Sequence, residues 1–269
     1  MKRSVNGIEY ESADPTGNIT ALVRTRVSES EYSRTARMIL DEDGECEQVG
    51  FLLPDDNCDI RLHMAAGEFC GNATMSAAAV YAMDTGLAVN DKITVMVRSS
   101  GCDVPVSVNI TRNENIDHRY VFGGVVDMPL PAKITRSSFE YNGSTYDLPI
   151  VCFDGISHII AYNEDLGLSD GMFEDAIRKW CGELGADGLG IMIVDGLHNL
   201  NIRPLVYVPK VGSCFWESSC ASGTTAVAAY LFEKEGRKEL DIIANEPGGV
   251  LLARVQKNGH ILLGGTVRI

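Results

Sequence analysis

The stretch AAGEFCGNATMSAAAVYAM, residues 65–83, places a cysteine in a Gly-Asn turn directly before an alanine-rich run. The stretch SSCASGTTAVAAYLFEKEG, residues 218–236, contains a second cysteine that is also followed by small residues and an alanine-rich run. Aligned on Cys70 and Cys220, the two segments share a threonine and two alanines at the same distances after the cysteine. Such a match raises the possibility of an internal repeat, which would decide the architecture of the chain.

Three more matches occur in the same order along the chain. They align TGNITALV (16–23) with ISHIIAYN (156–163), EQVGFLL (47–53) with DGLGIMI (187–193), and DIRL (59–62) with NIRP (201–204). The first places Asn18 on His158, and the second places Gly50 on Gly190. Four ordered matches with slowly growing offsets indicate a duplicated unit with small insertions.

The repeat predicts two halves, residues 1–130 with Cys70 and residues 131–269 with Cys220. The boundary falls in VDMPLPAKITRSS (126–138), where prolines interrupt a strand-like stretch. Most of each half has the short apolar or alternating runs of strands, and two helices complete it. The helix after each cysteine is small and apolar on most faces, so a sheet has to surround it. We predict an α+β fold of two pseudo-symmetric halves, each a curved sheet or barrel around a central helix, with the active site in the cleft between them.

The composition excludes several classes of function. The 269 residues are 45% hydrophobic and 22% charged, with no apolar run of membrane-spanning length and no signal-peptide pattern at the start. We therefore expect a cytoplasmic protein without a membrane partner. The net charge of −14 argues against a nucleic-acid partner. The eight cysteines are interpreted as thiols, and the absence of CxxC and HxxxH spacings argues against a metal site.

Cys70 and Cys220 each precede a predicted helix, where unpaired N–H groups and the macrodipole favour negative charge. A cysteine there can ionise below its ordinary pKa of about 8.5, and a carboxylate can approach N–H groups flanked by small residues. If the halves face each other, two sulfurs flank one carbon atom. One thiolate then removes the Cα proton while the opposite thiol donates one, which inverts a stereocentre.

The segments EFCGNATMS and WESSCASGTTA resemble the cofactor-independent amino-acid racemases and epimerases of the diaminopimelate epimerase fold. The resemblance is strongest to the histidine racemases of metallophore biosynthesis, and it covers essentially the whole chain, including PGG near its end. It implies an isomerase that uses no pyridoxal phosphate or other cofactor, acts on a small amino acid, and forms a homodimer.

By this resemblance, Cys70 and Cys220 are the catalytic acid and base. The carboxylate contacts come from residues after each cysteine: Gly71, Asn72, Ser222 and Gly223. Polar positions near the α-amino group are Asn18 and His158, and the candidates for holding the amino group or an imidazole are Glu47 and Glu217. Cysteines outside the two motifs are interpreted as small buried hydrophobic residues.

Two departures from the epimerase pattern bear on the substrate. Diaminopimelate epimerases carry an arginine soon after the first cysteine and another before the second, whereas ATMS (73–76) and VGSCFWESSC (211–220) contain none. The far carboxylate of diaminopimelate would therefore lack its bidentate partner. We rank histidine first, diaminopimelate second and another polar or aromatic amino acid third. A different class remains open: a ligand-binding protein in which the two cysteines form a redox-sensitive pair.

Overall fold

The computed structural model describes residues 2–162, 166–196, 199–210 and 212–269. Its helices are a 3-10 turn at Glu29–Glu31 followed by α1 (Tyr32–Glu42), α2 (Gly71–Asp84), α3 (Asp170–Leu184) and α4 (Ala221–Glu235). Its strands are β1 (Lys2–Val5), β2 (Ile8–Pro15), β3 (Thr20–Val23), β4 (Gln48–Leu53), β5 (Ile60–Met64), β6 (Lys92–Ser99), β7 (Val106–Ile116), β8 (Arg119–Met128), β9 (Lys133–Tyr141), β10 (Ser144–Cys152), β11 (Ser157–Tyr162), β12 (Leu189–Asp195), β13 (Asn199–Val208), β14 (Ser213–Trp216), β15 (Leu240–Glu246), β16 (Gly249–Val255) and β17 (Ile261–Arg268). The chain is thus a mixed α+β protein. None of the helices in the described ranges is long and apolar enough to cross a membrane.

The chain divides into two compact units, Met1–Met128 with Leu262–Ile269, and Pro129–Ile261. In the first unit β1 and β2 form an antiparallel hairpin, β2 pairs antiparallel with β3, and β3 runs parallel to β4. The sheet continues antiparallel to β5, parallel to β6, and antiparallel through β7 and β8. Helix α2 contacts β2, β5, β6, β7 and β8, so its small residues are buried on nearly every face.

Gly124 on β8 shows how closely the sheet approaches α2. A Cβ at this position would lie 2.4 Å from Cγ of Met75, which points out of the helix. The glycine therefore lets the strand backbone rest directly on the helix. On the outside of the same unit, α1 contacts β4, and Tyr32 stacks on Phe51 with ring centroids 3.8 Å apart.

The second unit repeats the strand order. The β9–β10 hairpin is followed by β11 antiparallel to β10, β12 parallel to β11, and β13 antiparallel to β12. Strand β15 runs parallel to β13 and β16 antiparallel to β15. Strand β14 is an addition that pairs antiparallel with β13. Helix α4 contacts β10, β11, β12, β15 and β16 and is buried on most of its faces, as α2 is.

The end of the chain departs from the sequence-based boundaries. We assigned residues 131–269 to one half, but Leu262–Ile269 groups with the first unit. The reason is that β17 pairs with β2, with Val267 opposite Pro15, and also with β8. The backbones of Tyr120 and Ile269 exchange hydrogen bonds of 3.0 and 2.9 Å beside it. Strand pairing overrides sequence continuity here.

The strand register also corrects the alignment of Asn18 with His158. In the first unit Leu22 lies opposite Gly50, whereas in the second His158 lies opposite Gly190. If the two glycines are equivalent, His158 corresponds to Leu22. Asn18 lies in the turn before β3, while His158 is the second residue of β11. The two side chains therefore do not occupy matched positions.

Candidate active site

Cys70 is the N-cap residue of α2, with the extended backbone (φ −131°, ψ 112°) that this position requires. Its Sγ accepts a hydrogen bond from the backbone N–H of Ala73 at 3.4 Å. The thiol donates to Oε1 of Gln48 on β4 at 3.1 Å, and the amide Nε2 of Gln48 donates to the Thr20 hydroxyl at 2.8 Å. The sulfur is thus held between a helix N-terminus and a side-chain amide that β3 anchors.

Cys220 is the N-cap residue of α4 with nearly the same backbone (φ −132°, ψ 101°), but its side chain makes no cap hydrogen bond. The backbone N–H of Cys220 instead donates to Oε2 of Glu246 at 2.6 Å. The Thr224 hydroxyl donates to Oε1 of the same carboxylate. Glu246 is the last residue of β15, and its buried carboxyl group links the N-cap residue Cys220 to Thr224 on the helix.

In the first unit, the two neutral residues Thr74 and Ser99 lie where the second unit has Thr224 and Glu246. Thr74, the equivalent of Thr224, donates its hydroxyl to the Cys70 carbonyl at 2.7 Å. Its Oγ1 also lies 3.0 Å from Oγ of Ser99, the last residue of β6. Strands β6 and β15 hold the same position in their sheets, so a serine in one unit stands where the other has a glutamate.

The Cys220 sulfur belongs to a chain of polar groups. Its Sγ lies 3.7 Å from the Ser222 hydroxyl, which lies 2.9 Å from Nε2 of His158 on β11. Burial lowers the pKa of His158 to about 3, so the imidazole is neutral at physiological pH. Its Nδ1 is buried and has no hydrogen-bond partner among the described residues.

The pKa of the Cys220 thiol is shifted in the direction opposite to the one that a helix N-terminus favours. Burial raises the pKa of its thiol well above the ordinary value, and the negative charges of Glu217 and Glu246 raise it further. The N–H of Gly223 and the hydroxyl of Ser222 lower the pKa by less. The helix terminus alone therefore does not lower the pKa of the Cys220 thiol, because desolvation and nearby carboxylates dominate.

The remaining predicted residues divide between the two units. Gly71 and Asn72 form the first turn of α2, and Ser222 and Gly223 lie in the first turn of α4. A Cβ at Gly223 would lie 3.2 Å from the Cys220 sulfur and 2.0 Å from Sδ of Met192. Glycine therefore keeps the helix terminus open to the sulfur.

The two predicted glutamates, Glu47 and Glu217, are both half-buried. Glu47 lies directly before β4, and its backbone N–H donates to the Ile19 carbonyl at 2.8 Å. Glu217 directly follows β14, its N–H donates to the Pro204 carbonyl at 2.9 Å, and its charge acts on the Cys220 thiol.

Sequence reasoning missed two residues that contact the cysteine motifs, Gln48 and Glu246. A signal existed for each of them: Gln48 lies inside a repeated segment, next to Glu47, and Glu246 directly precedes the Pro-Gly-Gly of residues 247–249. Across the described ranges, no group of three or more His, Cys, Asp or Glu side chains is arranged to hold a metal ion.

Comparison with known proteins points to one family. The sequence model described as "Histidine racemase CntK N-terminal domain" matches residues 7–269. A histidine racemase of Fusobacterium nucleatum subsp. nucleatum is 32% identical over 279 residues, which cover 100% of this chain and 96% of that protein. A histidine racemase of Staphylococcus aureus is 29% identical over 257 residues, which cover 94% of this chain and 89% of that protein.

Solved structures with low sequence identity share the fold. A hydroxyproline epimerase from Agrobacterium vitis superposes with a TM-score of 0.69 at 12% identity, over 97% of this chain and 89% of its own. A phenazine biosynthesis protein of the PhzF family from Bacillus anthracis superposes with a TM-score of 0.58 at 15% identity, over 96% of this chain and 94% of its own.

Proposed function

The chain belongs to the histidine racemase family, and we propose that it interconverts L- and D-histidine without a cofactor, with Cys70 and Cys220 as the two bases. The observation that carries the proposal is that each cysteine is the N-cap of a buried helix in a unit with the same strand order. A symmetric reaction, in which one face of the α-carbon loses a proton and the other gains one, uses such a repeated arrangement in both directions.

The proposed reaction moves one proton off Cα and one proton on. A thiolate takes the Cα proton, the electron pair of the C–H bond delocalises into the carboxylate, and the opposite thiol then protonates the carbon from the other side. The first becomes a thiol and the second a thiolate, so the next turnover runs in reverse. The N–H groups that open α2 and α4 would stabilise the charge that develops on the carboxylate.

The substrate contacts are assigned as follows. Gly71 and Asn72 in α2, with Ser222 and Gly223 in α4, contact the carboxylate because they form helix first turns. Asn18 contributes near the α-amino group. Glu47 and Glu217 hold the amino group or the imidazole.

His158 is the least exposed of the assigned polar side chains. Its Nε2 faces the Ser222 hydroxyl, and burial keeps the ring neutral. We therefore assign its influence on the substrate to Ser222, which it orients. In this proposal His158 acts on the bound substrate through Ser222.

We also propose that the two units are duplicated copies in the manner of the diaminopimelate epimerase fold, that the protein is a cytoplasmic homodimer, and that it needs no metal. Support for the duplication comes from the matched order β2 to β7 and β10 to β16, apart from the added β14.

Solvent deuterium tests the reaction and its substrate together. The protein is incubated in D2O with L-histidine, and the chirality of the amino acid and deuterium at Cα are followed by chiral chromatography with mass detection. Conversion to D-histidine that carries deuterium is expected, because the donated proton originates from solvent through a thiol. Diaminopimelate, run in parallel, should remain unlabelled and unconverted. A binding protein with a redox-sensitive cysteine pair would leave histidine unchanged and unlabelled, which would overturn the proposal.

A further inference from the structure

A threonine with an unusual backbone conformation begins the turn that carries Asn18. Thr16 directly follows β2 and has a positive φ of 57°, and Gly17 after it has a φ of 92°. Glycine adopts this left-handed conformation freely, whereas a β-branched side chain such as that of threonine is disfavoured in it. Such a conformation persists only where the surrounding structure holds it, so we expect contacts that hold Thr16 in place.

The C-terminal strand β17 supplies those contacts. The backbone N–H of Thr16 donates to the Thr266 carbonyl at 3.0 Å. In a regular antiparallel pair, the N–H of Thr266 would meet the carbonyl of Thr16 in return. Here that N–H donates to the Thr16 hydroxyl at 3.3 Å, and the hydroxyl donates to the Thr266 carbonyl, also at 3.3 Å. The side chain of Thr16 thus completes the pairing of β2 with β17 at the point where the chain leaves β2.

The hydroxyl explains why this position is not a glycine. Glycine would adopt the same backbone conformation without strain, but it has no side chain to accept a hydrogen bond from Thr266. A hydroxyl both donates and accepts, so it can bind the N–H and the carbonyl of Thr266 together. The hydrogen bonds to β17 therefore offset the unfavourable φ of Thr16.

A second contact of β17 acts on the same turn. Asp14 lies opposite Arg268 in the pairing of β2 with β17. Its Oδ1 accepts a hydrogen bond from the backbone N–H of Gly17 at 2.6 Å, and its Oδ2 lies 3.6 Å from a guanidinium nitrogen of Arg268. The C-terminal strand therefore contacts the turn directly through Thr266 and indirectly through Asp14.

The turn leads to the residues of the proposed site. Asn18 is 1% exposed, and its backbone carbonyl accepts a hydrogen bond from the Thr20 hydroxyl at 3.2 Å. Thr20 accepts from the amide of Gln48 at 2.8 Å, and Gln48 accepts from the Cys70 thiol at 3.1 Å. A displacement of the turn would therefore move the Asn18 side chain and disturb the hydrogen bonds that extend to the sulfur.

We propose that Thr16 is a positioning residue, which fixes Asn18 for substrate binding by attaching its turn to β17. The inference rests on the proposed racemase function, in which Asn18 lies near the α-amino group of histidine. It implies that the C-terminal strand, which follows every assigned site residue in the sequence, contributes to the affinity for the substrate.

The variant Thr16→Val tests the hydroxyl. Valine keeps the size and branching of the side chain but cannot form the hydrogen bonds to Thr266. The KM for L-histidine should rise about tenfold, because two hydrogen bonds that hold the turn are lost. A merely structural defect would lower the folded fraction, and hence kcat, without changing KM. An unchanged KM in folded Thr16→Val would overturn the inference.

The variant Thr16→Gly separates the hydroxyl from the backbone strain. Glycine relieves the left-handed conformation, so this variant should unfold at a higher urea concentration than Thr16→Val and yet show a similarly raised KM. It also replaces Thr16→Val if that protein does not fold. A KM equal to that of the wild-type protein would refute the role of the hydroxyl. Thr16→Ser retains the hydroxyl and should keep a KM close to the wild-type value, whereas a KM as high as that of Thr16→Gly would also refute this role.

Hydrogen exchange tests the attachment itself. The backbone N–H of Thr266 should exchange faster with D2O in Thr16→Val and Thr16→Gly than in the wild-type protein and Thr16→Ser, because its acceptor is missing. The exchange is followed by NMR spectroscopy on the folded proteins. Equal exchange rates at Thr266 in all four proteins would contradict the attachment of the turn to β17.

The matched control is Asn142→Gly, which relieves a left-handed residue (φ 49°) in an exposed turn between β9 and β10. It should leave the KM unchanged, and a rise as large as that in Thr16→Gly would overturn the assignment to the Asn18 turn. The wild-type protein with L-histidine in D2O is the reference. If it leaves histidine unconverted and unlabelled, the proposed function fails and this inference fails with it. If the wild-type protein is active and no Thr16 variant changes the KM, the role of Thr16 alone is refuted.

Discussion

The imidazole of His158 occupies the space that a side chain at Gly190 would need. A Cβ built on Gly190 would lie 2.3 Å from Nδ1 of His158, its neighbour on the parallel strand. The backbone of β12 therefore forms one wall of the site that orients the ring towards Ser222. At the aligned position of the second unit, Gly190 is needed because of the close approach of this ring.

Replacing Gly190 should affect Cys220 indirectly, through His158 and Ser222. Gly190→Ala is expected to destabilise the protein by about 1–3 kcal/mol, because the ring is fully buried and cannot move aside without strain. Displacement of His158 should also loosen Ser222 and reduce kcat. Urea unfolding and histidine racemisation assays would measure the two effects.

The control for that change is Gly182→Ala in α3. Gly182 is exposed, and a Cβ there would meet no atom within 4 Å. Alanine should stabilise the helix by about 0.5–1 kcal/mol and leave racemisation unaltered. A similar loss of stability in both variants would contradict the steric explanation.

Removal of either sulfur tests the two-base scheme. Cys70→Ala and Cys220→Ala should each lower racemisation by about a hundredfold to ten-thousandfold, the usual contribution of a positioned acid or base. Cys181→Ala, at a buried thiol that donates to the Ala186 carbonyl in the α3 layer, is the matched control and should retain activity. Substantial inversion by either of the first two variants would exclude a mechanism that needs both thiols.

Gln48 is expected to serve Cys70 in both protonation states. Its Oε1 accepts from the thiol in this structure, and after ionisation the amide can turn to present its N–H group. Gln48→Leu removes both interactions and should reduce kcat by about tenfold to a hundredfold. Gln48→Glu retains only an acceptor and adds charge, so the acid limb of the pH profile should move to higher pH.

Thr20→Val is the milder companion change, because it removes the anchor of Gln48 and leaves the amide in place. We expect a loss smaller than that of Gln48→Leu. If Gln48→Glu shows the pH profile of the wild-type protein, then Gln48 does not control the ionisation of Cys70.

The buried imidazole makes stability depend on pH. The pKa of His158 falls from 6.5 to about 3 on folding, so below pH 6.5 the unfolded chain binds a proton that the folded protein refuses. The stability that His158 contributes is complete above that pH and is lost as the pH falls, by up to about 1.4 kcal/mol per pH unit. Urea unfolding between about pH 7 and pH 4 should show this slope.

The variant His158→Gln, which can still bond to Ser222, should flatten that slope. An equally steep loss in His158→Gln would assign the acid sensitivity to other groups.

The sequence predicted the helices that follow Cys70 and Cys220 because these depend on local signals. Small residues around a cysteine mark a helix that a sheet can surround, and the repeat doubles the signal. The sequence pattern predicted strand register less well, because register depends on long-range pairing. The alignment of Asn18 with His158 is the example.

Strand β2, IEYESADP, shows how a buried strand can lack the sequence pattern of one. It carries three acidic residues, which do not suggest a buried strand. In the structure Glu11 is nevertheless 2% exposed, with a guanidinium nitrogen of Arg24 3.6 Å from its carboxylate. Arg24, thirteen residues later and just after the end of β3, makes the burial of Glu11 possible. The pattern of a single sequence does not reveal this pairing.

Trp216 is another residue whose position depends on long-range contacts. Its indole N–H donates to Glu174 at 2.9 Å, and its ring meets Phe173 edge-on with centroids 6.1 Å apart. Both partners lie on α3, so the indole packs on the outer helix layer of the second unit.

The return of Leu262–Ile269 to the first unit has a consequence during synthesis. Residues 129–261 are translated before the strand that pairs with β2 and β8 emerges from the ribosome. Until then the nascent first unit exposes unpaired strand edges, which are templates for association with other chains.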